Sequence, residues 1–334
     1  MRSTRTRNPW LTVSGFVSVQ STRSGQIRRR LAFAFATALL WCSTGNVVWA
    51  RDLYVDNVLG QDNLNGSAAM PTGVTIGPTR SIRRALQYAD GGDTIHIANR
   101  GVPYYETVTL QGSLNSGFPG TPFRLVSDGA VISGARCVPP TAWIERSPGV
   151  WKFTPDGKGR YLLLQGGQPL PELPLNEGDG LTGLPIGQWG SLRGSIYFRT
   201  SLDTHVGAPD MPFEFAYDQT GITLIDVKDV EIRGLVVRHF RYDGVHAHDR
   251  VERAFLENVK LETNGRSGLA VSGTASIGLT NVEITGNRGA GVTLREHGWL
   301  ETRSTRIDAG TNPLFDRSAD TTLFIDDALM EANR

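Results

Sequence analysis

Residues 238 to 250, Arg-His-Phe-Arg-Tyr-Asp-Gly-Val-His-Ala-His-Asp-Arg, hold three of the six His of this 334-residue chain, with three Arg, a Tyr and two Asp. His246 and His248 are separated by one residue. In an extended strand alternate side chains share a face, so the two imidazoles stand side by side about 7 Å apart. Such a set suits proton transfer on an acidic sugar. β-Elimination from a uronate needs a cation on the carboxylate, a base for the C5 proton and an acid for the leaving oxygen. Arg295 or Arg250 could serve as the cation, His246 or His248 as the base, and Tyr242 or a His as the acid. Hydrolysis needs two carboxylates at a defined separation instead. Asp243 and Asp249 are available, at opposite ends of the strand. His246, His248 and Asp243 could also form a two-His, one-carboxylate metal set, but their separation in sequence does not single one out and no metal is assigned. The bland alternative is a solvated strand with surface ion pairs.

The elements that carry this cluster repeat. A Gly precedes a short alternating run at Gly221, Gly244, Gly268 and Gly291, at intervals of 23, 24 and 23 residues. A second run begins at Gly234, Asn258 and Asn281, and an Asn closes it at Asn264, Asn287 and, two periods on, Asn333. Markers that share one period of 20 to 50 residues indicate a solenoid or propeller. The runs are rich in Val, Ile, Leu and Thr and alternate with period two, which is strand patterning. One period holds about three short strands and three turns, too short for a propeller blade. L-x-x-L-x-L, the leucine-rich signature, is missing. The pattern predicts an all-β, right-handed parallel β-helix with rungs about 4.8 Å apart and the turn Asn residues stacked as a ladder. In that register His246 stacks with Thr223, Ala270 and Thr293. His248 stacks with Ser272 and with Arg295, two rungs or about 10 Å away. His297 follows just beyond.

Residues 1–50 contain seven Arg and no Asp, Glu or Lys. Arg28-Arg29-Arg30 precede an apolar run from Leu31 to Trp41, and Val48-Trp49-Ala50 offers small residues at −3 and −1, so the segment reads as an export signal. Its apolar run is too short to span a membrane. Export predicts a periplasmic, cell-surface or extracellular location. Removing those seven Arg leaves 27 Lys and Arg against 33 Asp and Glu. That acidic balance argues against a nucleic-acid partner. Only Cys137 remains, so core burial rather than a disulfide must stabilise the exported chain.

Residues 51–134 read as an N-terminal cap and the first coils. Ser81 is a plausible N-cap for a helix from Ile82 to Tyr88, stopped by Gly91-Gly92. A helix here would cover the open end of the solenoid. The Asp56–Gly66 loop has the oxygen-rich spacing of a Ca²⁺ site but lacks a bidentate Glu. Ca²⁺ is the one cofactor suggested, against a plain turn. The string Tyr54-Val55-Asp56, Gly60, Asp62, Asn65-Gly66, Gly77-Pro78-Thr79, Ser81-Ile82, Ala85-Leu86, Ala89, Gly92-Asp93-Thr94 and Tyr105-Glu106 resembles the amino-terminal signature of secreted right-handed β-helix proteins of the pectin-lyase-like superfamily. The resemblance implies that fold. It leaves activity open, because the superfamily includes pectate and alginate lyases, polygalacturonases, uronan epimerases and non-enzymatic surface proteins. Its lyases often use Lys or Arg as base, frequently with Ca²⁺. No complete motif of one family matches, so no catalytic residue is carried over.

Residues 135–216 break the period. Trp143, Trp151, Trp189 and Tyr197-Phe198 alternate with Gly- and Pro-rich turns, which predicts a β-rich insertion beside the coils of 217–334. Its aromatics either stack on sugar rings, with Trp189 the candidate, or form its own core. The reading is therefore an exported β-helix that acts on an acidic polysaccharide as a lyase, epimerase or hydrolase, or a non-catalytic glycan-binding or envelope protein. Catalysis would fall to His246, His248, Arg295, Asp243 and Tyr242. Arg250, Arg241, His297 and Trp189 would bind substrate. The coils run to Arg334 without a distinct closing element, and oligomeric state is left open.

Overall fold

The computed structural model describes residues 50–176, 181, 183–201 and 212–331. Residues 1–49, with the expected export signal, and Asn333 lie outside the described residues. Residues from Ala50 onward form one unit, and among the described residues no helix is long and apolar enough to cross a membrane.

Period-two patterning produces three-faced coils stacked in parallel. The first face is a six-stranded sheet of Val108–Gln111, Ile222–Ile225, Val245–His248, Leu269–Val271, Val292–Leu294 and Phe315–Arg317. Leu110, Leu224, Ala247, Val271 and Leu294 point inward in one stack, each no more than 1% exposed. The other two faces belong to a twelve-stranded sheet. Two of its strands, Phe123–Ser133 and Lys228–Arg238, turn the corner between those faces without a break. Ala130, Val131 and Ile132 lie near the end of the first of them. The corner needs a left-handed residue in every rung, supplied by Gly234, Asn258, Asn281 and Ser304 at φ of 66°, 55°, 52° and 50°. Gly and Asn adopt that conformation at least cost.

The marker glycines of the first face serve a different purpose. A Cβ at Gly221 would come within 2.4 Å of Val237 Cγ1, and one at Gly268 within 2.4 Å of Ile284 Cγ2. The backbone here passes so close to the third face that no side chain fits. Beside it runs the Asn ladder. Asn264 Nδ2 donates to Asn287 Oδ1 at 3.0 Å, and Asn264 Oδ1 accepts from the Phe240 N–H at 3.1 Å.

The helix Ile82–Tyr88 caps the N-terminal side. Ser81 Oγ accepts from the Arg84 N–H, and Ile82 and Ala85 are fully buried. Glu106 accepts from the N–H groups of Ile82 and Arg83. At the far side Ala328–Leu329 folds back antiparallel on Thr322–Ile325. In the Asp56–Gly66 loop, Asp56 is buried and its carboxylate accepts from the N–H groups of Val58 and Leu59 and from Arg100. Asp62 accepts from Arg80 and Ser81. These oxygens are spent on the turn.

The insertion contributes two four-stranded antiparallel sheets. Trp143, Phe153, Phe198, Phe213 and Trp189 pack into a core of their own. Trp189 is 1% exposed and its Nε1 donates to Leu170 O. A sugar cannot stack on it, which corrects its placement among substrate-binding residues.

Candidate functional site

The first face keeps the expected register. His246 pairs with Thr223 on one side and Ala270 on the other, and Ala270 pairs with Thr293. His246 and His248 point outward, half-buried, with ring centroids 5.1 Å apart. Ala270 leaves space above His246, and beside that space a strap of the insertion ending at Arg160 crosses the turns. The result is a groove of about 610 Å³ lined by Arg160, His246, Arg266, Arg288 and Arg295.

Four guanidinium groups line the groove, three of them paired with carboxylates. Arg266 forms an ion pair with Asp243, and that bond, with the Asp243 charge, raises its pKa. Arg288 bonds to Tyr161 O and pairs with Glu172. Burial and the neighbouring charge of Arg160 both push its pKa down. Arg295 reaches Asp316. Burial pushes His246 below its usual 6.5, against the opposing pull of Asp243, so its imidazole is neutral at pH 7. One ring nitrogen faces Ser272 Oγ at 3.3 Å.

Other residues named from sequence fall elsewhere. Asp243 is completely buried under Arg266. It is a fixed counter-charge, which corrects its role as a catalytic or metal-binding carboxylate. Arg241 is 7% exposed and donates to Lys158 O, fixing the strap; this corrects its placement as a substrate contact. The Tyr242 ring packs beside the guanidinium groups of Arg241 and Arg266 and below Gly159. His248 bonds to Asp249 at 3.1 Å. Arg250 and His297 are exposed. Among the described residues, no three His, Cys, Asp or Glu side chains converge as a metal site.

Arg160, Arg266 and Arg288 do not emerge from the sequence reading. For Arg266 a signal existed, since one period of 23 back from it lies Asp243. Arg160 comes from the insertion, where no period helps.

Residues 216–325 match the family model for a right-handed β-helix region. No curated protein sequence matches the chain. Among solved structures it is similar to XylC in complex with xylose, at 13% identity and a TM-score of 0.48, over 81% of this chain and 63% of that one. It is also similar to a GH136 lacto-N-biosidase from Eubacterium ramulus, at 10% and 0.32, over 90% and 59%. A third is the pectate lyase Pel9A, at 15% and 0.21, over 83% and 78%. The chain thus spans less than two thirds of the first two proteins. At these identities the likenesses concern the fold alone.

Proposed function

We propose that this β-helix acts on an acidic polysaccharide, abstracting the proton beside a uronate carboxylate. The observation that supports this reading is the groove itself, with its neutral imidazole among four guanidinium groups. The arginines neutralise the carboxylate, which acidifies the C5–H bond. His246 takes that proton. In a lyase the electron pair forms the C4–C5 double bond, the C4–O bond breaks, and water protonates the leaving oxygen. In an epimerase the carbanion is reprotonated from the opposite face. Hydrolysis is less well supported, because Glu296 and Asp316 in the groove are already held by the Gly273 N–H and Arg295. Residues 1–49 are proposed to direct export.

The test is a screen of uronans for ultraviolet absorbance of the unsaturated product and for epimerisation by NMR, with wild type and His246→Gln. We expect turnover by wild type and a loss of about 10²-fold or more in the variant. Retention on the same glycans without turnover would instead support a binding protein.

A further inference from the structure

A second cavity, of about 350 Å³, opens where the insertion leaves the coils. It shares no lining residue with the arginine-lined groove. The segment from Arg160, in the groove, to Gly166, in this cavity, is six residues long and so spans at most about 20 Å. Cys137 and Glu214 are directly opposite in one antiparallel pair, so their side chains share a face. Both line the cavity with Tyr105, Ser133, Arg238 and His239.

The chemistry here differs from that of the groove. Tyr105 is 55% exposed, so its ring is open to a ligand. Its hydroxyl end is flanked by the Glu214 carboxylate; local burial, then Glu214, raise the phenol, keeping it a donor. Arg238 is neutralised by Glu262 at 3.1 Å, yet its Nε is buried without a hydrogen-bond partner. His239 is 3% exposed, and burial, then the Arg238 charge, lower its pKa to about 3, so it adds no charge. Its Nδ1 lies 3.4 Å from Ser133 Oγ. The cavity therefore offers an open aromatic face, a carboxylate acceptor, a guanidinium group in its wall and a neutral floor.

An apolar ring face edged by donors and acceptors, without excess charge, matches a pyranose, whose axial C–H groups stack while its hydroxyls both give and accept. We propose that this cavity is a binding site for a neutral sugar ring, stacked on Tyr105 and held by Glu214 and Arg238. It is independent of the reaction assigned to the groove. Its role would be to hold a neutral stretch of glycan while another segment occupies the arginines.

Cys137 is an exposed free thiol in the cavity and reports on occupancy. The full chain is alkylated with iodoacetamide, and Cys137 is followed by peptide mass spectrometry. Cellotriose, xylotriose and mannotriose are the probes, at up to about 10 mM, with trigalacturonate for comparison. At least one neutral trisaccharide should slow Cys137 alkylation by about tenfold near saturation. Tyr105→Ala and Glu214→Gln should lose that protection. Tyr105→Phe, which keeps the ring, should retain it, as should His246→Gln. The proposal fails if no neutral trisaccharide protects Cys137, if only trigalacturonate does, or if Tyr105→Ala remains protected while folded by circular dichroism.

Discussion

Two histidines of the 238–250 segment, His246 half-buried and His239 buried, do opposite things with the same physics. His246 is desolvated but opens into a groove, so its lowered pKa keeps a proton acceptor available. Activity should therefore be level around neutral pH and fall on the acid side, with a midpoint below 6.5, as the imidazole takes up a proton. Initial rates on a uronan between pH 4 and 8 check this; a midpoint above 6.5 would contradict it. His239 is 3% exposed, at the floor of the second cavity. Its pKa of about 3 in the fold against 6.5 when unfolded means the unfolded chain binds the extra proton. Stability from this residue is complete above 6.5 and is lost as pH falls toward 3. Urea unfolding of His239→Gln should show a shallower loss across that window than wild type. An acid limb that follows His246 while the circular dichroism stays constant separates catalysis from unfolding.

The turns, more than the strands, define each coil. Asn264 is fully buried, and its amide satisfies Phe240 N–H while donating to Asn287. Asn264→Ala leaves the Phe240 N–H unpaired where water does not reach. It should cost about 2 kcal/mol, read as a lower urea midpoint, whereas the exposed Arg250→Ala should change little. This ladder was visible in the sequence because period and residue type agree: an Asn recurring every 23 residues between apolar runs marks the same turn in successive rungs. The inward stacks of Leu and Val were visible for the same reason. The marker glycines were visible as a repeat but not in their cause, since the clash with Val237 or Ile284 depends on how two faces meet. In the insertion nothing repeats. There a Trp in a Gly-rich stretch looks alike whether it faces a sugar or a core, and Trp189 proved to be core. His246 and Arg295 could be aimed outward by counting residues along the coils, but Arg160 could not, because it comes from a segment outside the repeat.

That division makes the groove depend on how the insertion is fastened to the coils. Three arginines tie them together. Arg241 holds Lys158 O, Arg160 reaches Gly265 O, and Arg288 bridges from its turn to Tyr161 O and Glu172. Arg288 also lies over the Trp189 ring, 5.5 Å from its centroid, so one guanidinium joins the insertion's core to a rung of the solenoid. Each core is continuous in itself, and cooperative units of this kind open separately. Arg288→Ala should leave the coils intact and loosen their neighbour. In hydrogen exchange the amides of residues 161–173 should exchange faster by about tenfold, as a local loss of about 1.4 kcal/mol implies, while those of 245–248 and 269–271 stay protected. Uronan turnover should fall with it, because the groove loses one guanidinium outright and the segment carrying Arg160 loses its anchor. Uniformly faster exchange in both regions would mean that the insertion and the solenoid unfold as one, and that the groove is not an adjustable junction but part of a single core.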